Sequence, residues 1–145
     1  SHDAADPIGI NVFAGNDKAT IVTDTGVISD DILRRIDDTT LLVLEANYDP
    51  HMLRFGPYQP FLKQRVASDE GHLSNEMAAQ ALLMMKRPDF MQVILAHRSE
   101  NNNNSVLVTQ TIGKMLVDGG VRIGPEMKLQ HGQPNEIVSI QSVKR

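Results

Sequence analysis

The chain has 145 residues, enough for one domain, and its net charge of −4 argues against holding nucleic acid by bulk electrostatics. A nuclease is still allowed, because bound divalent cations reverse the local sign. The absence of cysteine excludes disulfides, thiolate metal sites and cysteine nucleophiles, and it fits a reducing cytoplasm.

No apolar run approaches the ~20 residues of a membrane span, and no signal peptide is visible, so a cytoplasmic, membrane-free protein is expected. With 41% hydrophobic residues but only 4% aromatic and no Trp, the core must be largely aliphatic and Met.

The opening "SHDAADPIG" places His2 ahead of Asp3, Asp6, Pro7 and Gly9, a loop composition of the kind that carries metal ligands. "IGINVFAG" and "KATIVTDTG", separated by "NDK", read as a hairpin. "SDDILRRI" predicts a helix capped by Ser29, with Asp30 and Asp31 at the positive end of its dipole and Ile32, Leu33 and Ile36 on one face. The continuous apolar run Leu41 to Leu44 in "TTLLVLEAN" predicts a strand covered on both faces.

Residues 47–71 hold three prolines and no clean period, which predicts a long, partly helical loop of the functional kind. "HLSNEMAAQALLMMKRPDF" carries Leu73, Met77, Ala81 and Met84 at helical spacing until Pro88 stops it, with Ser74 or Asn75 as cap. "MQVILAH" predicts a second buried strand. An Asn of "ENNNN" caps the helix "NSVLVTQTIGKMLVDGG", which ends at paired glycines. "VRI" and "EIVSI" around a Gly/Pro-rich connection predict a final hairpin.

The apolar strands stop on polar residues: Asp24 after "IVT", Glu45 after "LVL", His97 after "VILA". Helices between them imply parallel strands, whose carboxyl ends share one sheet edge, where open α/β sheets place ligands. His72 lies within reach of that edge. Two imidazoles and two carboxylates together suit a metal or acid–base site. Simpler readings stand beside this one: His2 as a cloning remnant, Asp24 as a turn residue, His97 as a satisfied strand-end histidine, and His72 as a helix lead-in. His51 and His131 match no motif and are expected at the surface.

"SHDAADPIG", "VTDTG", "LEANYD", "DEGHLSNE" and "LAHRSENNN" follow one another in an order that resembles metallo-β-lactamase-fold hydrolases, in particular the YycJ/WalJ group related to ribonuclease Z. The resemblance covers about residues 1–105. "LAHRS" departs from the usual "GHLS" while keeping the histidine. The signature HxHxDH is absent. The resemblance therefore implies an α/β chain, residues 1–145, forming the C-terminal half of a four-layer αββα sandwich, a mixed sheet with flanking helices.

It further implies metal ligation by His2, Asp24 and His97, with Asp24 bridging two divalent ions, Zn²⁺ or Mn²⁺. His72 matches the proton donor and Glu45 the acid that orients it. The implied activity is phosphodiester hydrolysis, in the first instance as a DNA exonuclease, with Arg54, Lys63 and Arg65 available to backbone phosphates. The chain alone is expected to be inactive for want of its N-terminal half. Two alternatives are a thioester or other small-molecule hydrolase of the same fold, and a non-catalytic fragment. Half a sandwich exposes an apolar face, which predicts association with the missing half or homo-oligomers.

Overall fold

The computed structural model describes residues 9–140. Its centre is a five-stranded sheet in the order β1 (Ile10–Ala14), β2 (Asp17–Val22), β3 (Leu41–Glu45), β4 (Met91–Ala96) and β5 (Met127–His131). β1 and β2 form the expected antiparallel hairpin, in register from Ile10 opposite Ile21 to Ala14 opposite Asp17, and Gly15 turns at φ 60° between them. All later pairings are parallel. The fold is thus α/β with a mixed sheet and flanking helices.

Helices α1 (Asp30–Ile36), α4 (Asn75–Met84) and α5 (Ser105–Asp118) supply the crossovers after β2, β3 and β4. Their starts are the ones the capping residues demand. Ser29 Oγ accepts from Ile32 N at 3.3 Å, Ser74 Oγ from Met77 N at 3.1 Å and Asn104 Oδ1 from Leu107 N at 2.9 Å.

One face of the sheet presents Val22, Leu42, Leu44, Val93 and Leu95, which pack with Ile36, Ala78, Leu82, Val108, Ile112 and Leu116 into the main core. The other face carries the alternate residues Ile10, Val12, Ile21, Leu41, Val43 and Ile94, as the strand register dictates.

Three expectations need correction. β3 is not covered on both faces, because Leu42 and Leu44 are buried while Leu41 and Val43 are half-buried. Only β4 is buried along nearly its whole length, since it lies between β3 and β5, and Gly132 N extends the parallel ladder to Leu95 O at 2.9 Å.

In α4 the buried stripe is Ala78, Ala81 and Leu82, whereas Met84 is 67% exposed and Leu73 precedes the helix. Small residues on that stripe let the helix axis approach α5. The final hairpin does not form. β5 is the amphipathic "MKLQH", which takes the vacant edge beside β4 in parallel, and "VRI" is confined between paired glycines and Gly124–Pro125 with one bridge from Ile123 to Met127.

The long loop is largely ordered. Pro50 and Pro60 each open a short helix, α2 (Pro50–Phe55) and α3 (Pro60–Val66), as proline's fixed φ favours. Together they bury a satellite core of Tyr48, Leu53 and Val66, with Tyr58 and Leu62 against it. The return of this segment is wedged against the loop between β2 and α1. A Cβ on Gly26 would stand 2.0 Å from Ser68 O and 2.6 Å from Asp69 O, so only glycine permits the approach. Gly26→Ala should therefore cost about 1–3 kcal/mol in urea unfolding. Gly15→Ala, at an open turn, should cost less.

Candidate metal and acid–base centre

Parallel pairing brings the carboxyl ends of β2, β3 and β4 to one edge, and the site is built there. Asp24 stands two residues beyond β2, Glu45 is the last residue of β3 and His97 the first after β4. Tyr48 pairs with Ser74 in an isolated parallel bridge that returns the chain to the same edge and delivers His72. One ligand atom from each of Asp24, Glu45, His72 and His97 lies within 4.8 Å of all the others.

Asp24 and His97 adopt left-handed backbone, at φ 58° and 53°. Such positive φ in a non-glycine residue costs about 1 kcal/mol or more and is over-represented at functional sites. Both turns aim a side chain at the edge.

Glu45 is fully buried and is the organiser of the centre. Its Oε1 meets His72 Nδ1 and His97 Nδ1, each at 2.7 Å. Its Oε2 accepts from Thr25 N at 3.2 Å and Leu73 N at 3.3 Å. An ionised carboxylate can only accept, so both imidazoles present Nδ1–H to it and keep Nε2 for other partners. His97 Nδ1 also stands 3.6 Å from Asp24 Oδ1. The two rings meet edge to face with centroids 5.1 Å apart.

Burial pushes the Glu45 carboxyl up, but the hydrogen bonds and charges of His72 and His97 outweigh it and hold its pKa below the ordinary 4.5. The hydrogen bond to Glu45 raises the His97 pKa above 6.5, with burial opposing and the charges of Glu45 and Asp24 assisting.

A layer of buried asparagines fixes the loops that carry these groups. Asn47 Nδ2 donates to His97 O at 2.7 Å, and Asn47 O accepts from Ser99 N at 2.8 Å. Asn103 Nδ2 donates to Ala46 O, to Asn47 O and to Asn75 Oδ1, and Asn75 Nδ2 answers to Asn103 Oδ1 at 3.1 Å. The sequence reading assigned "ENNNN" a single capping role and missed this. The available signal was a run of asparagines just past a buried strand, where backbone groups need partners.

Of the residues expected from sequence, Asp24, Glu45, His72 and His97 are together, whereas His2 lies outside the described residues. His51 is exposed and its ring lies tilted against Phe55, with centroids 4.6 Å apart. His131 is not simply at the surface. It is half-buried, its Nε2 is 2.9 Å from Thr109 Oγ1, and burial lowers its pKa.

No family model matches the sequence. Among curated proteins, the exodeoxyribonuclease YycJ of Bacillus anthracis is 34% identical over 143 residues, 99% of this chain and 54% of that protein. The exodeoxyribonuclease WalJ of Streptococcus pneumoniae is 33% identical over 135 residues, 93% of this chain and 50% of that protein, in strains D39 and R6 alike. The chain therefore spans about half the length of the curated relatives it matches.

Because folding depresses the Glu45 pKa, its contribution to stability is present above pH 4.5 and is lost as pH falls through the folded value. The His97 contribution is present below pH 6.5 and is lost as pH rises through its raised folded value, in part, since that side chain is 39% exposed. Glu45→Gln should cost about 3 kcal/mol near neutral pH, by leaving buried donors poorly matched. It should also flatten both limbs of a stability profile from urea titrations, and return the His97 imidazole toward its ordinary titration in NMR.

Proposed function

We propose, from the kinship of this chain with the YycJ/WalJ exodeoxyribonucleases, that it is the C-terminal half of a metal-dependent phosphodiester hydrolase acting on DNA. The observation that carries the reading is the convergence of Asp24, Glu45, His72 and His97 within 4.8 Å, in a chain related to named nucleases. The motifs resemble metallo-β-lactamase-fold enzymes, and the HxHxDH portion would come from the half this chain does not contain. The reading includes a cytoplasmic setting; among the described residues no helix is long and apolar enough to cross a membrane.

The donor set fits a divalent cation. Glu45 has all its contacts committed to donors, so it orients rather than ligates. Asp24 and the Nε2 atom of His97 are the oxygen and nitrogen donors that would hold the cation, and nitrogen–oxygen donors without sulfur suit Zn²⁺ or Mn²⁺. His2, from the first of the resembling motifs, would be a further ligand beside Asp24 and His97. Bound there, the ions would lower the pKa of a coordinated water and offset the phosphate charge.

The protein's own part is positional. Glu45 holds His72 with Nδ1–H inward, so its Nε2 carries the proton that passes to the departing oxygen, and the carboxylate stabilises the imidazolium before that transfer. The same Oε1 holds the His97 ring at a fixed angle, and Asn47 anchors its backbone.

The uncovered sheet face supports the missing half as partner. Ile10, Val12 and Ile21 are 47%, 55% and 41% exposed along β1 and β2, a contiguous apolar strip that a second sheet would cover. Failing that, a second copy of the chain is the expected occupant.

In a protein that joins this chain to its remaining half, duplex DNA should be degraded only with a divalent cation and the reaction should stop on chelation. His72→Ala should slow turnover on the order of 100-fold or more while retaining metal content. Asp24→Ala should instead lower the metal stoichiometry measured by mass spectrometry. Metal-dependent cleavage of thioesters without cleavage of DNA would overturn the reading.

A further inference from the structure

Residues 47–71 leave the chain two residues after Glu45 and re-enter it at His72, so the segment begins and ends at the rim of the centre. Its composition is unlike the rest. Four of the six aromatic residues, Tyr48, Phe55, Tyr58 and Phe61, fall within it, and residues 50–68 hold Arg54, Lys63 and Arg65 with no carboxylate. Asp49, Asp69 and Glu70 flank this stretch, so the segment as a whole is balanced and its cations are concentrated on α2 and α3.

The aromatic residues divide into two sets. Tyr48 is buried and Tyr58 packs against the satellite core, while Phe55 and Phe61 are 67% and 70% exposed. Planar and cationic groups surround the first of these phenyls. The Arg54 guanidinium stands 5.3 Å from the Phe55 centroid and the His51 ring 4.6 Å from it. Lys63 Nζ donates to Arg54 O at 2.9 Å, which ties α3 to α2. Asp49 N donates to Asn102 O at 2.8 Å, which ties the start of α2 to the loop after β4. The two phenyls therefore ride on a braced unit.

We propose that α2 and α3 form a stacking platform for single-stranded nucleic acid, with Phe55 and Phe61 receiving unpaired bases and Arg54 and Lys63 meeting the backbone. This rests on the reading of the centre as one that meets nucleic acid. Phosphate contact alone needs cations and gains nothing from exposed phenyls. A duplex keeps its base faces stacked on one another, whereas a strand end offers them to a ring, at a gain that does not depend on base identity. A platform beside the centre would hold the strand end whose terminal phosphodiester is to be cut.

The test is fluorescence anisotropy on this chain in metal-free buffer, so that binding is read apart from cleavage. The probes are a labelled short oligothymidylate, an abasic strand with the same number of phosphates, and a blunt duplex. The oligothymidylate should bind more tightly than either of the others. Phe55→Ala and Phe61→Ala should each weaken it on the order of 10-fold, with circular dichroism unchanged, and Phe55→Trp should restore it. Neither alanine variant should alter affinity for the abasic strand. Val106→Ala, an exposed apolar change on α5, should alter nothing.

Absent binding by the parent chain, tighter binding of the duplex, unchanged affinity in both alanine variants, or equal losses on the abasic strand would each overturn the platform. Unchanged affinity would leave the phenyls to a protein partner. Metal-dependent DNA cleavage by the complete protein beside such results would leave the reading of the centre standing. Phenyl-dependent binding without any cleavage would sink that reading and keep the platform.

Discussion

One buried carboxylate holds the functional edge together. Glu45 gathers two ring nitrogens and two backbone amides from three separate stretches: the turn after β2, the return ahead of α4 and the residue beyond β4. A carboxylate with no access to water is tolerable only when its charge is met from every side. Those four donors discharge the desolvation, and in doing so they fix two histidines with the same nitrogen inward. Folding stability and side-chain orientation are therefore one interaction. Removing the charge would loosen the loops and the rings together.

Much of this frame was legible beforehand because its causes are local. The caps at Ser29, Ser74 and Asn104, the hairpin and the two central strands follow from periodicity and polar punctuation that act within a few residues. The shared edge was legible as well, because parallel strands separated by helices can end nowhere else. The double engagement of Glu45 was not. A pattern can place Glu45 and His97 on one edge, but it cannot tell that one oxygen serves both imidazoles, which depends on the 4.8 Å geometry of the folded edge.

The misreadings share a physical origin. Spacing alone predicts an apolar stripe that includes Met84, yet Ser74 fixes the helix start and the close approach of α4 to α5 selects alanines over Met84. The last strand was sought in the most hydrophobic tail segments, but edge position, not hydropathy, decides which backbone pairs with β4. "MKLQH" suffices, because an edge strand beside the end of a helical crossover needs only one apolar flank. The asparagine layer was hidden for a different reason. Its members come from residues 47, 75 and 103, and nothing short-range couples them.

The placement of residues 47–71 joins these threads. An excursion of this length could loosen the two site residues at its ends, yet both ends are pinned. Tyr48 bridges to Ser74, Asn47 N donates to Leu73 O, and Gly71 and Gly26 allow backbone approaches that any side chain would forbid. With its own satellite core, the excursion can then carry exposed phenyls and cations as a rigid outgrowth without disturbing the carboxylate beneath. Sequence change in α2 and α3 is thereby uncoupled from the chemistry of the edge. Side chains on α2 and α3 can change while His72 stays where Glu45 holds it.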